Sequence, residues 1–342
     1  MPLKVVHTFA ESGMDYGEAL LEPLGASAVR GHWASEDDLI ANCKDANGII
    51  CAGPIQNWTP RVLAALTHCR IISTLSIGYD RIPVDAASEM GMVVTNIPDY
   101  CIDEVSSQAI AFMMALNRKL FPIDRAVRQE QVFIYPGNRE ALKKYPIYRL
   151  RGQTLGIIGF GKIGTAVALK ARGLGLNVIA YDPYVLGAVM ASHGVEPASL
   201  DRLLRESDFI SINAALTAET KGMIGQEELA RMKPTCYLIN TARAHIVQEP
   251  ALIDALQRNI NAGAGLDVTV EEPIRSDNPL LGMPNTILTA HSAWFSTTSE
   301  SPAEFWHKPM TQVVMALKGE WPTYAVNPEI KQVWLKKWGR TG

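Results

Sequence analysis

Short β-branched and aliphatic runs alternate with segments of helical period along this chain, and they do so in two successive series. The first runs through LKVVHTF, a helical stretch from Asp15 to Leu21, the helix-like EDDLIANC, NGIICAG, PRVLAALTHC, RIISTLS and GMVVTN. The second begins at Thr154 with TLGIIG and continues through a helix from Lys162 to Gly173, NVIAY, a helix around Leu200 to Arg205, DFISIN, a helix from Gln226 to Arg231, CYLINT, a helix near Ala251 to Gln257, AGAGLDV and TILTA. Parallel neighbours need a crossover, and the crossover helix covers the sheet, so this alternation predicts parallel sheets with helices on both faces. The expected class is α/β, with two doubly wound parallel sheets.

At 342 residues the chain is long enough for two domains. Hydrophobic residues at 47% and charged residues at 20% supply cores and a solvated surface, which excludes global disorder. Lys plus Arg number 32 against 35 for Asp plus Glu, a formal charge of -3, so no basic excess exists to hold a phosphate backbone and nucleic acid is excluded as the main partner. No apolar run reaches the roughly 18 residues of a membrane helix. The opening residues are broken by His7, Glu11 and Asp15 and lack a secretory h-region, so a soluble, cytoplasmic protein away from membranes is expected. The cysteines Cys43, Cys51, Cys69, Cys101 and Cys236 form no C-x-x-C pair, and neither a disulfide framework nor a metal site is expected.

Between the two series lies a long apolar helical stretch from Val105 to Leu120, then a polar, aromatic segment from Phe121 to Arg149 with little regular pattern. A connection of that length within a compact domain is usually functional or covered by a partner, and about 105–149 is expected to be a subunit-contact arm. The end of the chain shows one helical pattern, Glu304 to Leu317, and a tail bearing Trp321, Trp334 and Trp338.

LGIIGFGKIGTAV sets Gly159, Gly161 and Gly164 in G-x-G-x-x-G spacing between an apolar strand and a helix. Such glycines allow a tight turn, approach of backbone to a pyrophosphate, and close helix–strand packing, with the helix N-terminus supplying partial positive charge. Asp182 ends the following strand, NVIAYD, where a carboxylate accepts hydrogen bonds from ribose hydroxyls and repels a 2'-phosphate. No Arg follows it directly, which favours NAD over NADP; Asp182 could equally cap a helix before Pro183.

A dinucleotide fold needs its chemistry elsewhere, and three groups stand just after strands of the second series: Arg243 after CYLINT, Glu272 after AGAGLDV and His291 after TILTA. Open parallel sheets bind ligands at those carboxyl ends. A forked, permanently charged Arg243 can hold an anionic group and polarise a carbonyl. Glu272 beside His291 would favour the imidazolium, which can protonate the carbonyl oxygen as hydride arrives.

With these motifs the chain resembles the D-isomer-specific 2-hydroxyacid dehydrogenases, and particularly their glyoxylate/hydroxypyruvate reductase and C-terminal-binding-protein branch, from IISTLSIGYDRIPVDAASEMGMVVTNIP through LTAHSAW. The resemblance implies a homodimeric NAD-dependent oxidoreductase acting on the CH–OH group of a small 2-hydroxy acid, with Arg243, Glu272 and His291 catalytic. It implies dinucleotide contacts from Gly159, Gly161, Lys162, Ile163, Gly164, Asp182 and Asp267, and substrate contacts from Arg243, Trp294 and the backbone amides of Ile77 and Gly78 within Ser76-Ile77-Gly78-Tyr79-Asp80. It also rearranges the domains: a Rossmann NAD-binding domain at 99–294, carrying the arm, is inserted in a flavodoxin-like substrate domain made of 1–98 and 295–342, with hinges near Pro98 and Trp294.

Several positions depart from that family's pattern: Ala244 and Ala290 replace its usual Gly and Pro, Gln248 an Asp, Ala215 a Pro, and Ser107 an acidic residue. Ala244 would restrict the backbone beside Arg243. His245 is expected to be a surface or structural group. The loop Gly53 to Trp58 with Tyr79, Tyr100 and Trp294 makes an aromatic, neutral lining without the Arg or Lys clamp a phosphorylated substrate needs, so a small or moderately apolar 2-oxo acid is expected. Glu272, where the similar formate dehydrogenases carry Gln, speaks against formate oxidation. Trp294, three residues beyond His291, is shared with C-terminal-binding proteins, whose likeness implies the alternative of an NAD(H)-sensing, corepressor-like protein with little turnover.

Overall fold

The computed structural model describes all residues except 1, 11, 53–55, 57, 131–139, 297–304 and 340–342, and not the side chains of 141 and 142. It divides into two units, Met1–Tyr100 with Ser296–Gly342, and Cys101–Phe295. Each holds one all-parallel sheet, so the expected pair of doubly wound α/β domains is present.

The first sheet has the order β2-β1-β3-β4-β5, formed by β1 (Lys4–His7), β2 (Ser27–Arg30), β3 (Gly48–Cys51), β4 (Ile71–Thr74) and β5 (Val93–Thr95). Val5, Val6, Ile49, Ile50, Ile71, Ile72, Val93 and Val94 are wholly buried, or 1% exposed at most. Covered on both faces, such strands show continuous apolar runs in place of alternation. β2 departs from the sequence reading, which found no strand there: SAVR is an edge strand with no fully buried residue, and pairing Lys4 to Ser27 fixes it, not hydrophobicity. The stretch expected as a helix from Asp15 to Leu21 is instead a 3-10 turn at Glu18–Leu24, with Pro23 inside it and left-handed glycines, Gly17 and Gly25, at both ends.

The chain's end belongs to this unit. Helix His307–Leu317 lies so close to β3 that a Cβ on Gly48 would stand 2.7 Å from Val313 Cγ1. The Trp-bearing tail, for which no helix was expected, forms a second helix, Lys331–Trp338, and buries Trp334, whose Nε1 donates to Arg70 O at 2.9 Å. Asn327 adds a two-sided link, accepting from Val94 N at 3.0 Å and donating to Met92 O at 3.0 Å.

His7, at the end of β1, is wholly buried, and neither ring nitrogen has a hydrogen-bond partner among the described residues. Burial chiefly, opposed in part by Glu18, pulls its pKa down to about 4, so the folded unit admits only the neutral ring. The unfolded chain takes up a proton below about pH 6.5 and the folded chain does not until about pH 4, so stability is lost as pH falls through that window, by about 3 kcal/mol in all. His7→Leu is expected to flatten this loss. The urea midpoint at pH 7 and pH 5, followed by tryptophan fluorescence, checks it, since six of the seven tryptophans stand in this unit; an equal acid shift in both proteins would contradict it.

The second sheet runs β12-β11-β10-β9-β6-β7-β8. Its strands are β6 (Thr154–Ile158), β7 (Asn177–Tyr181), β8 (Glu196–Pro197), β9 (Phe209–Ile212), β10 (Tyr237–Asn240), β11 (Gly263–Leu266) and β12 (Thr286–Leu288). The chain enters at β6, builds outward through β7 and β8, and returns to β9 on the other side of β6. That reversal opens a crevice at the carboxyl ends of β6 and β9, the usual ligand position in such sheets.

Helix Ile102–Arg118 packs on this sheet through Phe112 and Met113, and Gly265 on β11 admits the Phe112 ring, since a Cβ there would lie 2.7 Å from its Cγ. The acidic family position replaced by Ser107 is compensated locally: Lys170 Nζ bonds Ser106 Oγ at 2.8 Å, Ser107 Oγ at 2.7 Å and Asp103 Oδ1 at 2.8 Å. Beyond Lys119, which adopts φ 54, the segment expected to be irregular begins instead with a helix, Leu120–Glu130. Pro122 is tolerated because it falls in the first turn, where its missing N–H has no helical acceptor. Leu120, Phe121, Val127 and Tyr148 are exposed. The remainder of the arm includes 131–139, outside the described residues. No described helix is long and apolar enough to cross a membrane.

Candidate active site

The glycine loop after β6 shows what each glycine is for. Gly159 has φ 90, and a Cβ on it would lie 2.5 Å from Ala214 N on the neighbouring strand connection. A Cβ on Gly164 would lie 2.1 Å from Gly159 O, so helix Lys162–Gly173 could not approach the turn. Gly161 is different: nothing lies within 4 Å of where its Cβ would be, and φ there is an ordinary -79. The fold itself makes no demand for glycine at that point, whereas a group seated against the bare backbone would. No side chain caps the helix at Gly161. A bare cradle at an uncapped helix N-terminus fits the pyrophosphate of a dinucleotide. Lys162 is exposed in the first turn and Ile163 is half-buried.

Asp182 stands just past β7, and both its oxygens are engaged: Oδ2 accepts from Phe160 N at 2.8 Å and Oδ1 from Tyr184 N at 2.9 Å. It therefore braces the glycine loop. The helix-cap alternative is not realised, because the next helix, Gly187–Ser192, begins after Leu186 without a side-chain cap.

Three loops on the carboxyl side of the same sheet carry the other predicted groups. Glu272 Oε2 and His291 Nδ1 lie 2.8 Å apart, each side chain about a third exposed. Burial alone would raise the Glu272 carboxyl, but the hydrogen bond and charge of His291, the Thr269 amide and the charge of Arg243 together hold it below the usual carboxylate range. A carboxylate only accepts, so Nδ1 carries the proton of this bond and Nε2 is the ring nitrogen left for chemistry. His291 adopts φ 52, a left-handed conformation costing about 1–3 kcal/mol outside glycine and found where surrounding structure enforces it.

The enforcing group is Asp267, 1% exposed just beyond β11. Its backbone O accepts from His291 N at 2.8 Å, its Oδ1 from Thr289 Oγ1 at 2.5 Å and Ser292 N at 3.0 Å, and its Oδ2 from Ala293 N at 2.9 Å. The resemblance assigns Asp267 to the dinucleotide; the geometry shows it clamping the turn that carries His291.

Arg243 stands just past β10, in extended backbone. Asn240, 1% exposed, holds that turn from both sides, accepting from Ala242 N at 3.0 Å and donating to Arg243 O at 2.9 Å. Ala244 lies in a 3-10 turn, Ala244–Ile246, without a left-handed φ, so the alanine costs nothing there. Gln248 donates to Gly222 O at 2.8 Å, tying down the loop after β9, and His245 is exposed. Glu249 braces the loop of Glu272 by accepting from Val270 N at 3.2 Å and Asn278 Nδ2 at 3.0 Å. Asn240, Glu249 and Thr289 were missed in the sequence; for the first, the signal was a buried Asn closing an apolar strand.

Of the expected pocket lining, Gly53–Ile55 and Asn57 lie outside the described residues. Trp58 is 4% exposed and packs in the core of the first unit. Tyr79 is exposed, Tyr100 stacks on Phe305 at 4.2 Å, and Trp294 meets Phe295 edge-on at 5.7 Å.

A glycine cradle for a dinucleotide, with an acid-bearing histidine and an arginine on the same sheet edge, defines an oxidoreductase that uses a nicotinamide cofactor. The family model described as D-isomer specific 2-hydroxyacid dehydrogenase, NAD binding domain, matches residues 110–293. The chain is 37% identical over 303 residues to a glyoxylate reductase of Korarchaeum cryptofilum, covering 87% of this chain and 88% of that one. It is 34% identical over 291 residues to D-3-phosphoglycerate dehydrogenase of Mycobacterium bovis, covering 85% of this chain and 53% of the relative. Among solved structures, D-lactate dehydrogenase of Aquifex aeolicus, complexed with NAD and lactic acid, matches with a TM-score of 0.78 and 26% identity over 99% of both chains. The chain belongs to the D-isomer specific 2-hydroxyacid dehydrogenase family and is an oxidoreductase acting on a CH–OH group.

Proposed function

We propose that this protein reduces a small, unphosphorylated 2-oxo acid with NADH, and oxidises the matching D-2-hydroxy acid in reverse. The 2.8 Å contact between His291 and Glu272 carries this reading, because it supplies a proton donor with its partner in place. When bound, the cofactor supplies hydride to C2 of the substrate. His291 Nε2 gives a proton to the carbonyl oxygen, leaving the 2-hydroxy acid and a neutral ring that solvent reprotonates. Glu272 stabilises the imidazolium before transfer. Arg243 attracts and polarises the oxo acid, and the amides of Ile77 and Gly78 bind its carboxylate. Gly159, Gly161, Lys162, Ile163 and Gly164 hold the dinucleotide, while Asp182 disfavours a 2'-phosphate and so favours NAD.

Relatives named glyoxylate reductase support a small substrate. The test is kcat/KM for glyoxylate, hydroxypyruvate, phenylpyruvate and a phosphorylated 2-oxo acid, each with NADH and NADPH. The unphosphorylated acids with NADH should lead; a clear preference for the phosphorylated acid or for NADPH overturns the respective part. Exposed Leu120, Phe121, Val127 and Tyr148 support a homodimer through the arm at about 105–149. Sedimentation at micromolar protein should give a dimer, and a monomer contradicts it.

A further inference from the structure

Three successive carbonyls in the loop after β4 are each held by a donor from the first unit. Ser76 O accepts from Ile97 N at 3.0 Å, Ile77 O from Asn96 Nδ2 at 2.7 Å, and Gly78 O from Ser76 Oγ at 2.6 Å. The Ser76 hydroxyl has one proton, already given to Gly78 O, so its 2.9 Å contact with Thr74 Oγ1 must be donated by Thr74. A relay of hydroxyls therefore fixes one carbonyl and a buried carboxamide, 8% exposed, fixes another.

All the peptide bonds concerned are trans. In a trans peptide the C=O of one residue and the N–H of the next point to opposite sides of the same plane. Holding the carbonyls of Ser76, Ile77 and Gly78 on the scaffold turns the amides of Ile77, Gly78 and Tyr79 away from it. None of the hydrogen bonds among the described residues uses the amides of Ile77 or Gly78. Consecutive N–H groups so arranged make a concave anion site from fixed partial charges, without a cationic side chain.

We infer that Asn96 and Ser76 are positioning residues for substrate: Asn96 locks the Ile77–Gly78 peptide plane and so presets the Gly78 amide for the carboxylate, and the Ser76 hydroxyl locks the Gly78–Tyr79 plane that follows, while the Ile77 amide is held by Ile97 N through Ser76 O. The inference rests on the carboxylate role proposed above for those amides. Without the Asn96 or Ser76 donor a plane can rotate, and part of the binding free energy goes into fixing it again. The carboxylate is gripped in ground and transition states alike, so the loss falls on KM far more than on kcat.

The test compares Asn96→Asp, nearly isosteric but without the donor, with Ser76→Ala and the hydroxyl-retaining Ser76→Thr. KM for glyoxylate and Ki for oxamate should rise about 10-fold or more in Asn96→Asp, as expected when the Gly78 amide loses its hydrogen bond to a charged group, and by a smaller but measurable factor of about 3 in Ser76→Ala, which frees only the plane that follows. NADH affinity by fluorescence should not change, kcat should fall much less than KM rises, and Ser76→Thr should stay close to the parent. Unchanged KM and Ki in Asn96→Asp and Ser76→Ala overturn the inference. If Asn96→Asp fails to fold, Ser76→Ala, which removes a single oxygen, decides it. Activity surviving in a His291 variant overturns the functional reading instead, so the two failures are distinguishable.

Discussion

His291→Ala should lower kcat for 2-oxo acid reduction by about 10³-fold, within the 10²–10⁴ that a positioned general acid contributes, while NADH affinity by fluorescence titration is unchanged. The separation follows from placement. His291 sits on the turn after β12, held by Asp267, whereas the dinucleotide cradle follows β6 and is braced by Asp182. Alanine at 291 leaves both braces in place and removes only the proton donor. Glu272→Gln sharpens the test, because the amide keeps an oxygen acceptor for His291 Nδ1 and loses the charge that favours the imidazolium. Glu272 is held below the usual carboxylate range by His291, Thr269 and Arg243, against its burial, so it is ionised at neutral pH. Removing that charge takes away the partner that stabilises the proton donor, so kcat for reduction should fall while NADH affinity stays unchanged. A His291→Ala enzyme with near-parental kcat would remove His291 from the mechanism.

Strands such as Ile71–Thr74 and Tyr237–Asn240 were legible because burial on both faces imposes an unbroken apolar run. Ser27–Arg30 was not, because an edge strand is specified by pairing to its neighbour. Helix Leu120–Glu130 was hidden by Pro122, which reads as a breaker until its place in the first turn is known. At the site, Arg243, Glu272 and His291, the side chains proposed to carry the chemistry, could be read from their position after strands. The groups that hold them could not, since Asn240, Asp267 and Asn96 act through backbone amides and carbonyls that any sequence supplies. Asp267 is an example: family likeness implied a cofactor contact, and the fold adds that both its carboxylate oxygens are engaged by the histidine turn. A similar arrangement recurs at three loops, a buried polar residue at a strand end bonded to a loop backbone: Asn240 to the loop beyond its own strand, Asp267 and Asn96 to the loop of the neighbouring strand. Such a residue places the site with less freedom than a loop alone would allow.

Two single-methyl substitutions in the cofactor loop should separate folding from binding. Gly159→Ala puts a side chain on a residue at φ 90, with its Cβ 2.5 Å from Ala214 N, a backbone atom that cannot step aside without disturbing β9. A left-handed or glycine-only conformation costs an ordinary residue about 1–3 kcal/mol before any clash is counted, so this variant should lose several degrees of thermal stability and its NADH binding together. Gly161→Ala adds the same methyl to open space at φ -79, and the free protein should keep its melting temperature. The methyl would project where a pyrophosphate has to meet bare backbone, so NADH affinity should fall at least about tenfold, or about 1.4 kcal/mol. Thermal unfolding with and without NADH reads both quantities. Parental NADH affinity in Gly161→Ala would place the pyrophosphate elsewhere, and parental stability in Gly159→Ala would mean that the turn accepts a side chain by moving away from β9.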